Sequence, residues 1–278
     1  MRLFVFDVDG TLVSDFSTEL NKELISTLNE VLDRGDAIAI ASGRPYSGII
    51  QYLNQLKDGN KFCICANGAL VTDIKGKILF KNPLKLKYFY QFCEEYKEIL
   101  DSIDGNIYAY LFNGVGYIKY NEFIDGEYKL NGNYQPISLV ENHLDDETDI
   151  LKFMVASLPE HSLEIERSIS QKWKNDFLMV RSSPMFIEFN NKSANKSPAT
   201  AFLAKYLNID KKNVYTFGDG GNDFLMIRDF NGVAMGNASE ECKKVATFIT
   251  KTAKENGVVY AIKELIKQFF IYLTFLYK

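Results

Sequence analysis

Apolar residues recur along this chain with two different spacings, and the order in which the spacings alternate predicts the fold. Residues 3–6, LFVF, form an unbroken apolar run, whereas Leu20, Leu24, Ile25, Leu28, Val31 and Leu32 recur as one face of a helix. The second pattern predicts an amphipathic helix from Glu19 to Arg34, with Ser17 or Thr18 as cap and Gly35 as stop. Another unbroken run, AIAIAS, follows. Strand, helix and strand in this order make a βαβ unit, whose parallel strands are buried on both faces.

The alternation continues with a helix over SGIIQYLNQL, a strand over KFCICANG and two strands in LVTDIKGKILF around an Asp/Gly turn. Between residues 83 and 185 it breaks. A helical LKYFYQFCEEYKEIL, strand-like IYAYLF, GYIKY, LKFMVAS and FLMVRS, a helical stretch near Leu163 to Trp173 and a polar segment with Gly126 and Gly132 read as an inserted α+β module. From Phe186 the first pattern is expected to resume, with strand FIEF, helix KSPATAFLAKYL, strand VYTFGD, helix NDFLMIRDF, strand GVAM and a terminal helix from Val258. The predicted class is therefore α/β, with a Rossmann-like parallel-sheet core from residues 1–82 and 186–278 and an inserted domain at 83–185.

Composition narrows the function. With 46% hydrophobic and 24% charged positions in 278 residues, the chain reads as globular and long enough for two domains. A net charge of -4 gives no basic excess for a nucleic-acid backbone, so no nucleic-acid partner is expected. Cys63, Cys65, Cys93 and Cys242 lack zinc-site spacing and are expected to be free thiols in a reducing cytoplasm. No export leader is expected, because the first apolar run ends at Asp7. The apolar stretch QFFIYLTFLYK falls short of the roughly 20 residues a bilayer requires. It is expected to be a last helix packed on the core or on a second subunit, with no membrane span.

Ligands of an open parallel sheet bind outside the carboxyl ends of its strands. Asp7 and Asp9 follow the first strand, Ser42, Gly43 and Arg44 the second, and Asp219, Asn222 and Asp223 the strand VYTF, while Lys196 opens the helix after FIEF. Singly, each has a structural explanation: Asp9 and Gly10 form a common turn, Ser42 caps a helix ahead of Pro45, GDGGND is a glycine-rich turn, and Lys196 is one lysine among many. Their joint placement points to chemistry. Carboxylates at the end of a buried strand need a cation, a partner or a proton, and a set of oxygen donors suits a hard cation such as Mg²⁺. Such a cation would also neutralise an incoming phosphate, whose remaining oxygens a lysine and a hydroxyl could hold. Residues 7 and 9 share one side of an extended chain, so both can face one phosphate.

In order, DVDGTL, ASGR, Lys196 and GDGGND resemble the four motifs of the haloacid dehalogenase-like hydrolase superfamily. The short interval between the first two motifs, the long insert before Lys196, and the stretches NGA at Asn67 and VAMGNA at Val233 resemble the Cof-type phosphatases. The resemblance spans nearly the whole chain and implies a C2-type α+β cap in the insert. It further implies that Asp7 is a nucleophile forming an aspartyl phosphate, and that Asp9, with a raised pKa, is general acid and then base. Mg²⁺ would be bound by Asp7, the backbone carbonyl of Asp9 and Asp219, with Asp223 assisting. Ser42, Gly43, Lys196 and Asn222 would hold phosphoryl oxygens, and Arg44 would bind substrate. Lys196 is followed by Ser197 and Pro198 where the family usually has a glycine, which leaves Lys192 as a second candidate. The implied function is a Mg²⁺-dependent phosphatase of small phosphorylated metabolites, sugar phosphates foremost. A sugar phosphomutase is the alternative enzyme. A receiver-like phosphoacceptor module is disfavoured by Asp9 and by the long insert. Tyr108, Tyr110, Tyr117 and Trp173 stand open between cap core and substrate contact.

Overall fold

The unbroken apolar runs become strands covered on both faces. In the computed structural model, which describes residues 1–14, 17–102 and 105–264, the strands Leu3–Phe6, Ala37–Ala41 and Val214–Gly218 are wholly buried. They lie at the centre of an eight-stranded sheet ordered Phe248–Ile249, Asn231–Ala234, Val214–Gly218, Leu3–Phe6, Ala37–Ala41, Asn60–Cys65, Leu70–Asp73 and Ile78–Lys81. The first six are parallel, and Leu70–Asp73 is antiparallel to both of its neighbours, Asn60–Cys65 and Ile78–Lys81. Leu3–Phe6 thus separates strands from the two ends of the chain, which is the switch point where a doubly wound sheet opens a crevice. The first helix, Lys22–Asp33, starts later than its periodicity suggested. Its cap is Asn21, not Ser17 or Thr18, because the Asn21 side-chain oxygen accepts the Leu24 N–H at 2.9 Å.

A second, six-stranded sheet is ordered Phe177–Ser183, Phe186–Asn191, Lys152–Ala156, Asn106–Tyr110, Gly114–Tyr117 and Gln135–Ser138. Its strand alternation divides two kinds of surroundings. Ile107, Ala109, Phe153, Val155, Ile187 and Phe189 face an apolar cluster with Phe92 and Trp173 from the covering helices, whereas Tyr108, Tyr110, Met154 and Ala156 belong to the cluster continuous with the first sheet. Trp173 is therefore core, and its Nε1 donates to Glu95.

This topology corrects the expected return point. The strand containing FIEF, Phe186–Asn191, pairs with Lys152–Ala156 and with Phe177–Ser183, so it closes the second sheet and does not resume the first. The chain crosses back only after Asn191, beside its outward crossing: Asn191 Nδ2 donates to the Pro83 carbonyl at 3.1 Å and Asn82 Nδ2 to Ser193 Oγ at 2.9 Å. A boundary at 186 would cut through a hydrogen-bonded ladder. The polar segment with Gly126 contains a helix, Glu122–Leu130, capped by Asn121. Residues 257–264 are helical, and the apolar stretch 268–278 lies outside the described residues. Among the described residues no helix is long and apolar enough to cross a membrane.

Candidate active site

Asp7 emerges from the first strand with its N–H still bonded to the Phe217 carbonyl at 3.0 Å, so its place is fixed by the sheet. Lys196, first residue of the helix Lys196–Tyr206, is positioned by the Asn195 cap and reaches the same spot. Its Nζ donates to Asp7 Oδ1 at 2.6 Å and to Asp223 Oδ1 at 2.7 Å, with no exposure to solvent. Lys192 is exposed, and it is Lys196 that meets these carboxylates. Pro198 sits in the first helical turn, where a missing N–H costs nothing.

Asp223 is fully buried, and its Oδ2 accepts the N–H groups of Asp219 and Gly220, each at 3.0 Å. Asp219 accepts Thr11 Oγ1 and Asn237 Nδ2, both at 3.2 Å. A carboxylate oxygen from each of Asp7, Asp219 and Asp223 lies within 4.8 Å of the others. Gly10 permits this approach, since its φ is +82° and a Cβ there would stand 2.3 Å from Asp219 Oδ2.

Three carboxylates around one ammonium leave negative charge unbalanced. Burial, then Asp223, holds Asp7 well above the usual carboxylate range against the opposing pull of Lys196. Burial and then Asp223 push Asp219 up to about 6, while the Thr11 hydrogen bond opposes. For Lys196 burial acts downward, but Asp223 and Asp7 together raise it above its ordinary value. Excess negative charge, an all-oxygen donor set and close spacing are what a hard divalent cation requires, so these residues fit one.

Asp9 is elsewhere. Its carboxylate receives Arg44 Nε at 3.0 Å and Nη2 at 2.8 Å, while Arg44 Nη1 donates to the Leu130 carbonyl of the second-sheet region at 2.9 Å. Arg44 thus bridges Asp9 and the Leu130 carbonyl. Ser42 Oγ accepts its own loop's Arg44 N–H at 3.3 Å, and Asn222 Nδ2 donates to Asn67 Oδ1 at 3.2 Å.

Sequence reasoning gave no chemical role to Asn67, Asn237, Glu188 or Lys152. The first two lie in NGA and VAMGNA, quoted only for likeness. Glu188 had a readable signal, a lone acid inside the apolar FIEF, and it pairs with Lys152 at 2.8 Å. Tyr108 and Tyr110 spend their hydroxyls on Glu127, at 2.8 and 2.5 Å.

Comparison with known proteins shows the family over nearly the whole chain. A haloacid dehalogenase-like hydrolase family model matches residues 4–262. YxeH of Bacillus subtilis (strain 168) is 31% identical over 276 residues, covering 95% of this chain and 98% of its own. YcsE of the same organism, a 5-amino-6-(5-phospho-D-ribitylamino)uracil phosphatase, is 28% identical and covers 96% of each chain. A haloacid dehalogenase-like hydrolase from Bacteroides thetaiotaomicron superposes with a TM-score of 0.81 at 26% identity, covering 95% of this chain and 99% of that one. With its four motifs brought to one sheet edge under a second sheet, the chain belongs to the haloacid dehalogenase-like hydrolases of the Cof type and is a phosphatase.

Proposed function

We propose that this phosphatase is Mg²⁺-dependent, acts on small phosphorylated metabolites, and works through an aspartyl phosphate on Asp7. The carrying observation is Lys196 Nζ held at 2.6 and 2.7 Å from two members of a three-carboxylate cluster. Asp7 attacks phosphorus, the bond from phosphorus to the ester oxygen breaks, and Asp9 gives a proton to the departing oxygen. A water then loses its proton to Asp9 as its oxygen bonds to phosphorus, and the bond from phosphorus to Asp7 breaks. Ser42, the Gly43 backbone, Lys196 and Asn222 hold the phosphoryl oxygens. Asp7, Asp219, the Asp9 backbone carbonyl and, in an assisting role, Asp223 would hold Mg²⁺, which would supply positive charge against the phosphoryl group.

Arg44 binds the substrate. The region between the crossing points at 83 and 191 acts as a cap that excludes water from the sheet edge. Sugar and polyol phosphates are the favoured substrates, a reading supported by the phosphorylated ribityl chain named for YcsE. Four free thiols, three of them buried, suit a reducing cytoplasm. The test is phosphate release from a panel of phosphometabolites with Mg²⁺ present. Release of free phosphate from at least one sugar or polyol phosphate is expected, and isomer formation without free phosphate would replace this reading with the mutase.

A further inference from the structure

Three buried side chains outside the mechanism, Lys152, Glu188 and Asn67, form a chain of contacts that ends on Asn222. Lys152 and Glu188 project from neighbouring antiparallel strands onto one face of the second sheet, in a register that sets Met154 opposite Glu188 and Lys152 opposite Asn190. Lys152 Nζ lies 2.8 Å from Glu188 Oε2 and 4.4 Å from the centre of the Tyr110 ring. The same Oε2 accepts Asn67 Nδ2 at 2.9 Å. An ionised carboxylate only accepts, so Asn67 must turn its NH₂ toward Glu188 and its carbonyl oxygen away. That oxygen is what receives Asn222 Nδ2 at 3.2 Å.

The backbone is shaped to put Asn67 there. Ala66, Asn67 and Gly68 all have positive φ, at 47°, 55° and 97°, a run that is sterically costly for alanine and tolerated by asparagine. The curl is tied to the second motif, with Ala66 N–H donating to the Arg44 carbonyl and Asn67 N–H to the Ser42 carbonyl, each at 2.9 Å. It also abuts the cap of the Lys196 helix, since a Cβ at Gly68 would stand 2.3 Å from the Asn195 carbonyl oxygen. One short strained segment therefore touches the loops that carry Ser42, Lys196 and Asn222.

We propose that Asn67 is a positioning residue whose amide, oriented by the Glu188–Lys152 pair of the second sheet, fixes the direction in which Asn222 presents its remaining N–H to the phosphoryl group. Phosphate binding at the first sheet then depends on how the second sheet is docked. The proposal rests on the reading of Asn222 as a phosphoryl ligand.

Reversing the polarity of the chain tests it. Asn67→Asp sets a second carboxylate against Glu188, and Glu188→Gln frees the Asn67 amide to turn over. Each single substitution is expected to raise both the KM for para-nitrophenyl phosphate and the inhibition constant of inorganic phosphate about tenfold, with the larger share of the loss in KM. In N67D/E188Q the introduced amide donates to the introduced carboxylate, whose other oxygen accepts Asn222, so both constants should return to within about threefold of the original. A double variant no better than the product of the singles overturns the relay, as do singles that lower Tm and leave both constants in place. Should N67D fail to fold, E188Q, N222A and their double variant replace it: non-additive effects on phosphate inhibition support the relay, and additive effects overturn it. Phosphate inhibition weakened by N222A and untouched by the relay variants overturns the relay alone. Phosphate inhibition untouched by N222A overturns the reading of Asn222, and the relay with it.

Discussion

Two groups of buried charges, one at the edge of the first sheet and one on a face of the second, are balanced in opposite ways. At the end of Leu3–Phe6, Asp7, Asp219 and Asp223 share the single ammonium of Lys196. On the core-facing side of the second sheet, Glu188 has Lys152 and Asn67, and Glu127 has three neutral donors, Tyr108, Tyr110 and Asn131. The second group meets its charges with the protein's own donors and is scaffolding. The first leaves charge unmet, and there the proposed cation and phosphate would be bound.

The largest effect should come from removing the proposed nucleophile on the unbalanced side. Asp7→Asn is expected to lower turnover of an aryl phosphate by a factor on the order of 10⁴ or more while the protein stays folded, as phosphate release and thermal melting would show. Chelation of Mg²⁺ should abolish turnover reversibly. Full activity in Asp7→Asn would dissolve the distinction between the two groups.

Next come the two lysines. Lys196→Met and Lys152→Met each leave a buried carboxylate without its partner and should cost about 3–5 kcal/mol at neutral pH, measured by denaturant unfolding. Added Mg²⁺ should recover part of the loss only in Lys196→Met, because only there can a cation stand in for the ammonium. Equal recovery in both variants would break the comparison.

Smaller still is the pH dependence of the cation-free protein. Asp219 rises from its ordinary 3.8 to about 6, so its protonated form is favoured in the folded state. Its contribution is present below pH 3.8 and is lost as pH rises toward 6, at most about 3 kcal/mol before solvent screening reduces it. Asp219→Asn should flatten that slope in unfolding curves taken across this window.

The smallest effect belongs to the balanced group. Burial raises Glu127 above its ordinary 4.5, so stability from this group likewise falls as pH rises past 4.5, against the opposing bonds from Tyr110 and Tyr108. Glu127→Gln should remove that slope and change neutral-pH stability by only about 1 kcal/mol, since the amide can still bond the two tyrosines. A loss as large as that of Lys152→Met would show that the charge itself is structural.

Much of this was legible locally. Continuous apolar runs gave the buried parallel strands, and the polar residues just beyond them gave Asp7, Asp219 and Asp223, because position at a strand end follows from a few neighbours in the chain. FIEF was misplaced for the same reason. Four residues of strand look alike in either sheet, and what assigns them is a ladder to Lys152–Ala156 and Phe177–Ser183. For Asp9, the spacing from Asp7 was readable, but the guanidinium that holds its carboxylate was not.

By itself, then, the sequence determined which strands are buried, where each chemically active loop begins, and that carboxylates, a hydroxyl and a lysine are available at one sheet edge. The tertiary structure alone decided which charges meet. Lys196 is 189 residues from Asp7, and Glu188 is 121 from Asn67. Periodicity reports only what lies within a turn or a strand, whereas hydrogen-bond partners are chosen by packing that brings distant segments within 3 Å.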